Sequence, residues 1–584
     1  MISFEELSVI GYSSALLCIV SGLLLYQFRS VLFRVGRSIK QPYLKHLSYR
    51  PLIQNQHFVS QWSRADIVAE AAYLGLNIGW LYFKSETLDT AGRRAANLCL
   101  GNFLVLFLTP HLNTLTSVLG LQRRTICRLH GSVGVVTALL LTFHIIAAAL
   151  HAPFPVKIAE NKWAVVAAAS LGGSVLICAP AIKLRWYEVF LRLHQSLAIL
   201  SVYGIWVHVP PRRLLPLIHL YMLAGIVVLS MIALGLLVLY RNGTFGYSHP
   251  RADILSSRGA VFIRVNLSRP VHVKAGQYIN LWICMPSQRF RSLFESHPFV
   301  VVSWSDRAVY ELDLLIEPRS GFTRDLLRVS KTKVEPYRAL FSGPHGNSIP
   351  LGNYEVVLMI ASGYGIAAQL PYLKQLIHGY NSRKARSRRV HLVWELKTLD
   401  LAAATEWVLD NALDEDTLDN GYILQISIYV DHVKKGKKMS PRAMVIKGLP
   451  PWLSIFEAEA DGKLIRRVQE ESSARGNMIV TVSACTAVRQ ELRAIARNYV
   501  HENVTLIELD YQPPRSELDR EHVYKPPDPP GRQDSIRGTA SHQDAAQRHS
   551  KERRLSGSTL VERSGSLRRL PGSTLVEESS SEAK

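Results

Sequence analysis

No two cysteines in this chain are spaced as Cys-x-x-Cys. The six that exist (Cys18, Cys99, Cys127, Cys178, Cys284 and Cys485) are scattered, four of them in or beside apolar segments. Neither a disulfide framework nor a zinc site is indicated. Acidic residues are also in short supply: 68 Lys and Arg against 46 Asp and Glu leave a net charge of +22. In a soluble protein that excess would point to nucleic acid. No zinc-finger, homeodomain or RNA-binding signature accompanies it, so no nucleic-acid partner is expected. Much of the excess lies in loops beside apolar segments and in the C-terminal tail, a distribution the positive-inside rule explains.

What the chain does have is length and apolar runs. Of its 584 residues 48% are hydrophobic, concentrated in the first 240 positions. Seven apolar segments run over 9–27, 66–83, 95–113, 127–149, 163–180, 188–208 and 216–240. Most approach the ~20 residues needed to cross a lipid bilayer. The first has no small-residue cleavage site and carries its basic flank on the C-terminal side, so it reads as a retained anchor. Basic residues fill the loops 28–65 (Arg29, Arg34, Arg37, Lys40, Lys45, Arg50), 114–126 (Arg123, Arg124) and 181–187 (Lys183, Arg185). Placing these loops in the cytoplasm puts the N-terminus outside and everything after 240 inside. Arg93, Arg94, Arg212 and Arg213 oppose that balance without reversing it.

Two of the segments hold histidines at one spacing: His130 and His144 in the fourth, His194 and His208 in the sixth, each pair 14 residues apart. Fourteen helical residues turn through about 40° less than four full turns and rise ~21 Å. Both members of a pair therefore face nearly the same way at two depths. The fourth and sixth segments run in the same direction, which pairs His130 with His194 near the inner face and His144 with His208 near the outer. Neutral imidazole is a good iron ligand, and two axial imidazoles leave no open position on the metal. Polar side chains in lipid need a reason, and two stacked bis-histidine haems supply one. His111 and His219 have no matched partner and read as histidines bonded to a neighbour. Arg128-Leu129-His130 and Arg192-Leu193-His194 repeat one approach to the inner ligands. Each arginine either snorkels to the inner headgroups or contacts haem propionates.

After 245 the pattern changes. Short alternating apolar runs at 260–267, 277–283, 300–303 and 310–316 read as strands of a small barrel or sandwich. His297-Pro298-Phe299 puts an aromatic at a strand end, where it can stack on a flavin ring. Gly321-Phe322-Thr323-Arg324 opens a helix. It is either a turn that offers backbone N–H groups to a pyrophosphate or an ordinary start capped by Thr323. The near-continuous apolar run 354–360 (YEVVLMI) suits a buried parallel strand. It passes into Gly363-Tyr364-Gly365-Ile366-Ala367-Ala368 and an apolar helix over 369–377. Strand, glycine turn and helix form the context of a dinucleotide site, here with Ala368 in place of the third glycine. Strands at 390–396, 423–430 and 477–483 extend the sheet.

Over roughly 66–512 these residues resemble the transmembrane ferric reductases, of the fungal cell-surface type, within the ferric reductase and NADPH oxidase superfamily. The resemblance implies that His130, His144, His194 and His208 hold two haems b. It implies that His297, Pro298, Phe299, Gly321, Phe322 and Thr323 hold FAD, and that Gly343-Pro344-His345-Gly346 is the GPxG element before the nucleotide domain. Gly363, Gly365, Ile366 and Ala367 match the NADPH turn. Ser483-Ala484-Cys485 matches the late cysteine strand near the nicotinamide, with Cys485 as positional support and not as a nucleophile. Glu508-Leu509-Asp510-Tyr511 resembles the closing segment. Two positions depart from the family pattern. Val300 stands where a hydroxyl residue usually follows HPF, leaving Ser303 as a substitute, and Thr486 stands where glycine often follows the cysteine.

The architecture so implied is a multi-domain membrane protein, a helical transmembrane haem bundle followed by a ferredoxin-reductase-like β-barrel and an α/β Rossmann-like domain. The expected divisions are an anchor and basic loop (1–65), the haem bundle (66–243), the FAD barrel (244–347), the NADPH domain (348–512) and a disordered tail (513–584). The expected activity is NADPH-dependent reduction of extracytoplasmic ferric or cupric chelates. It is expected in the plasma membrane or the vacuolar membrane, with the C-terminal domains cytoplasmic. Superoxide production is the rival within the superfamily; a haem-binding sensor or scaffold is the rival outside it. In the tail, RRLSGSTLVE at 553–562 returns as RRLPGSTLVE at 568–577. The first copy suits a basophilic kinase; the plainer reading of the pair, and the one favoured, is a neutral tandem duplication.

Overall fold

The computed structural model describes residues 43–512 other than 54–61, 108–121, 152, 244–248, 286–295, 320, 332–335, 419–422, 432–437, 441, 463, 465–476 and 501–502. The expected anchor at 9–27, His111 and the tail from 513 lie outside the described residues. No disulfide links the five described cysteines.

Among the described residues, the N-terminal half contains seven α-helices: α1 (Arg64–Tyr82), α2 (Leu88–Phe107), α3 (Arg123–His151), α4 (Ala159–Leu176), the short α5 (Pro180–Arg185), α6 (Tyr187–His208) and α7 (Leu214–Arg241). The starts of α1 and α2 follow local capping chemistry. Ser63 Oγ accepts from Asp66 N–H at 3.2 Å while an Asp66 carboxylate oxygen accepts from Ser63 N–H at 2.8 Å, a reciprocal capping box. Thr87 and Thr90 cap each other's backbone in the same way, each bond 3.2 Å. That pair starts α2 seven residues before the apolar run at 95, so Arg93 and Arg94 belong to the helix.

Among the described residues, Arg123–His151, Val189–His208 and Leu214–Arg241 are long and apolar enough to cross a membrane. The helices α1, α2 and α4 coincide with three more of the seven expected segments. They fall short of that standard because polar residues occupy their first turns, among them Asp66, Asp89 and Glu160.

Contacts fix the directions. Asp66 at the start of α1 meets Arg128 near the start of α3 at 3.0 Å, and Gly92 early in α2 meets His144 late in α3. Ser174 late in α4 meets His194 early in α6, and Glu160 early in α4 meets His208 at the end of α6. Successive long helices thus alternate in direction, and α3 and α6 run the same way. The helix α2 packs along α3, α4 along α6, and α7 along α2.

A short antiparallel pair, β1 (Pro51–Ile53) and β2 (Trp62–Ser63), precedes the bundle, and a six-stranded antiparallel sheet follows it: β3 (Arg251–Ser257), β4 (Ala260–Val271), β5 (Tyr278–Ile283), β6 (His297–Val300), β7 (Val309–Ile316) and β8 (Tyr337–His345), in the order β6-β5-β8-β3-β4-β7. A bridge from Val301 to Leu314 joins its two edges, so the sheet closes into a barrel. Ile263, Ile279, Leu281, Leu312 and Phe341 fill the interior. Helix α8 (Phe322–Val329) plugs one end with Phe322 and Leu326, four residues apart on one face.

The last domain is a seven-stranded sheet in the order β12-β13-β11-β10-β9-β14-β15. Its parallel strands are β9 (Val356–Ser362), β10 (Arg389–Leu396), β11 (Leu424–Val430), β13 (Ala443–Lys447), β14 (Met478–Ser483) and β15 (Val504–Glu508). The short β12 (Lys438–Ser440) is antiparallel at one edge. Every residue of β9 is buried, with Val357, Met359 and Ala361 in the core on one face and Val356, Leu358 and Ile360 in that on the other. That explains an apolar run without alternation. Helix α9 (Ile366–Asn381) covers one face. The chain leaves β9 toward β10 on one side and returns as β14 on the other, so the strand order reverses between β9 and β14.

Candidate functional site

In the bundle, the His130 and His194 rings lie 6.1 Å apart between centroids. A metal held coaxially between two imidazoles by bonds of ~2 Å would set the ring centres ~6 Å apart. His144 Nδ1 lies 3.0 Å from the Gly92 carbonyl oxygen, His194 Nδ1 3.3 Å from that of Ser174, and His208 Nδ1 3.2 Å from that of Glu160. A carbonyl oxygen only accepts, so each Nδ1 carries the proton and each Nε2 presents its lone pair, the tautomer that ligates metal. His130 and His194 therefore fit one bis-imidazole haem, and His144 and His208 present the same ligating tautomer at the other end of the same helices. Arg128 is engaged by Asp66, and Arg192 donates to Gln195 Oε1 at 3.2 Å.

The HPF and GFT segments, 24 residues apart in sequence from His297 to Gly321, meet at one end of the barrel. The His297 ring stacks on Phe322 at 4.3 Å between centroids and 15° between planes, and Phe299 lies 6.4 Å from both. Pro298 is exposed and pairs in register with Asn280. Gly321 caps α8, and Thr323 Oγ1 instead accepts the Arg319 N–H at 2.9 Å, so Thr323 is not the helix cap. Ser303 Oγ accepts the Asp313 N–H at 3.0 Å, which commits it to the barrel wall. Val300 lines a cavity of about 150 Å³ with Ile349, Tyr372, Asp510 and Tyr511, between the barrel, α9 and the closing segment. The aromatic rings of the HPF and GFT segments are of the kind on which a flavin ring stacks.

His345 of the GPxG element is buried, with Nε2 3.1 Å from Ser342 Oγ. Gly346 accepts on its carbonyl from Gln277 Nε2 at 3.0 Å, and Gly343 precedes Pro344 within β8. Burial, and then the charge of Arg241, push the His345 pKa down to about 4 from 6.5. Between those values the unfolded chain binds a proton that the folded barrel refuses. Stability is therefore full above pH 6.5 and falls as the pH drops toward about 4. Flavin retention by the intact protein is expected to decline across that window, and His345→Gln is expected to flatten the decline. An unchanged pH slope in the variant would contradict this account.

At the switch point the nucleotide turn is packed from below and open above. Gly363 adopts φ +50° and a Cβ there would meet nothing within 4 Å, so its backbone is approachable. Gly365 is the reverse: a Cβ would lie 1.8 Å from the Ser483 carbonyl oxygen. Ile366 and Ala367, the first residues of α9, are buried. Ser362 Oγ accepts the Cys485 N–H at 2.7 Å, joining the carboxyl ends of β9 and β14, and Trp394 Nε1 donates to the Gly363 carbonyl at 2.8 Å. An open glycine turn at a helix start, at the reversal of strand order, fits a dinucleotide.

Some supporting contacts carry no periodic signature in the sequence. Gln369, fully buried in α9, donates to the Ile360 and Thr481 carbonyls at 2.9 and 3.1 Å. The Asn242 side chain at the end of α7 donates to the Phe341 carbonyl at 2.8 Å and accepts its N–H at 3.0 Å. Buried Glu508 meets Arg124 at 2.8 Å and Arg489 at 3.3 Å, and also pairs with Arg493. Burial raises the Glu508 pKa, but Arg493, Arg124 and Arg489 outweigh it and hold the carboxyl down at about 2. A lone Gln in an apolar helix and a lone Glu in an apolar strand were the available signals.

Fold and sites together define a flavin- and nicotinamide-binding module built onto a helical membrane bundle. Three family models match in order: ferric reductase like transmembrane component over 95–205, FAD-binding domain over 251–366 and ferric reductase NAD binding domain over 354–497. The chain belongs to the ferric reductase family. It is similar to Ferric/cupric reductase transmembrane component 2 of Saccharomyces cerevisiae, 28% identical over 248 residues, 41% of this chain and 32% of the relative. It is also similar to Ferric reductase transmembrane component 5 of that yeast, 26% identical over 343 residues, 54% of this chain and 45% of the relative. The chain thus spans less than half the length of either. Among solved structures, a flavohemoglobin from Malassezia yamatoensis aligns at 14% identity and a TM-score of 0.34, covering 71% of this chain and 98% of that one.

Proposed function

We propose that this protein is an NADPH-dependent ferric-chelate reductase that passes electrons through FAD and two bis-histidine haems b across a membrane, supporting metal uptake. The observation that carries the reading is the facing pair His130 and His194, 6.1 Å apart, in a bundle whose α7 is bonded directly to the flavin barrel. The bound cofactors supply the redox chemistry, and the chain supplies distance and orientation. The turn at 363–367 receives the nucleotide phosphates at the start of α9. Ser362 fixes the Cys485 backbone beside it. His297, Phe299 and Phe322 present ring faces to the flavin, and the four histidines present Nε2 to iron.

The names of the yeast relatives support ferric or cupric chelates as acceptors. In this reading the domain divisions fall after 243, 347 and 512. The nucleotide side is cytoplasmic, and the membrane is the plasma membrane or the vacuolar membrane. Ser556 in the tail is the target of a basophilic kinase. The test is NADPH oxidation in membranes with and without ferric and cupric chelates, comparing the wild type with His144→Leu. Chelate-dependent turnover lost in the variant is the expected result. Superoxide without added metal would make the protein an oxidase, and no turnover would make it a sensor or scaffold.

A further inference from the structure

The helices α1, α2 and α7 enclose a cavity of about 350 Å³ lined by Trp80, Arg94, Asn97, Asn102, Leu215 and His219. It lies at the end of the bundle remote from the flavin barrel. There α1 ends and α7 begins, and Arg94 follows two residues after Gly92, the carbonyl partner of His144. One helix, a thickness of ~10 Å, separates the cavity from His144.

Its walls are held by bonds that leave polar groups facing inward. Arg94 donates to the Trp80 carbonyl at 3.3 Å and to that of Phe83, which closes the end of α1. Asn102 accepts from Tyr73 OH at 2.9 Å and donates to Asn77 Oδ1 at 3.3 Å. His219 Nδ1 sits 2.8 Å from the Leu215 carbonyl, so Nδ1 carries the proton and Nε2 the lone pair. Asn97 adds an amide. Exposed Arg212 and Arg213 immediately precede α7, whose first turn carries the lining residue Leu215. Among the described residues, no carboxylate lines the space. A cavity that sets one guanidinium and several hydrogen-bonding side chains among the helices of a membrane bundle is a candidate functional feature. Its volume falls within the ~300–1,000 Å³ range of small-molecule sites.

We propose that this cavity is the docking site of the metal substrate, an anionic ferric complex of a polycarboxylate. Arg94 faces a carboxylate, the amides of Asn97 and Asn102 donate to other ligand oxygens, and His219 Nε2 accepts from a hydroxyl or metal-bound water of the complex. The proposal rests on the acceptor class assigned above and adds its location. Reduction there adds one electron, supplied from NADPH, to the ferric ion. No ligand bond need break, and the bound complex gains one negative charge.

Gallium(III) citrate, which is redox-inert, tests docking apart from turnover. The full-length protein loaded with haem and FAD, in phosphatidylcholine nanodiscs, should bind one equivalent by titration calorimetry. Asn97→Leu and His219→Leu should each weaken binding about tenfold while low-spin haem absorbance is kept. In turnover, the ratio of kcat/KM for ferric citrate to that for cationic hexaammineruthenium(III) should fall by the same factor. No binding to the wild type, or equal binding to wild type and variants, overturns the site. So does anionic phospholipid that co-purifies with the wild type and is lost in both variants, which would assign the cavity to a headgroup. Binding as expected without NADPH-driven reduction of either acceptor keeps the site and sinks the reductase reading instead.

Discussion

Replacing Gly365 by alanine is expected to cripple nucleotide binding while sparing haem. The added Cβ would sit 1.8 Å from the Ser483 oxygen and 2.8 Å from its carbonyl carbon. Both are backbone atoms of β14, which is held in parallel register with β9 from Met478 to Ser483. Neither can retreat without parting the sheet at the switch point. Overpacking a well-filled site costs ~1–3 kcal/mol, and a backbone collision at this distance belongs at the upper end. NADPH affinity should fall at least tenfold, and proteolysis of the nucleotide domain should accelerate. Gly363→Ala is a useful contrast, because it meets no atom and bears only the strain of φ +50°, roughly 1–2 kcal/mol. Wild-type NADPH affinity in the Gly365→Ala protein would refute the packing argument.

His130→Leu is expected to halve haem content and to leave flavin in place. Its ring faces His194 at 6.1 Å, and leucine offers no lone pair. The purified variant should carry one haem b per chain instead of two, with low-spin absorbance reduced in proportion. His144→Leu should do the same through the other pair, and the double variant should carry none. Both variants should still be reduced by NADPH at the flavin, because Phe299 and Phe322 lie in the separate barrel. Equal haem content in His130→Leu and the wild type would refute the ligand assignment.

Features with a strong local cause were legible before any coordinates. The run 354–360 reads as a buried parallel strand, and β9 is buried on both faces. Histidines at one spacing in two helices read as facing pairs, and the inner two face each other. Boundaries set by caps were not legible: Thr87 and Thr90 start α2 well before the apolar run, and the arginines that follow look like a loop in a hydropathy reading. Residues acting across long sequence distances were missed as well. Gln369 bonds a strand more than a hundred positions away, and Asn242 pairs with Phe341 through 99 intervening steps of chain. Such partners carry no periodic signature. His219 was read as a bonded histidine, which its contact with Leu215 supports, but the space its other nitrogen faces is made by three helices and has no trace in any one of them.

The amide of Asn242 imitates one more β-strand rung at the lip of the barrel, while Arg124, through its bond to Glu508, ties the opposite domain to the head of α3. Among the described residues, these two attachments restrain the reductase half against the bundle at separate points. In the proposed reading they fix the gap between flavin and bundle, so electron transfer across it should respond little to solvent viscosity. A fragment cut after 243 would lose both Asn242 and Arg124. It would expose a raw backbone amide and a carboxylate stripped of one partner, so the excised reductase should be markedly less stable than the same domains on their membrane mount.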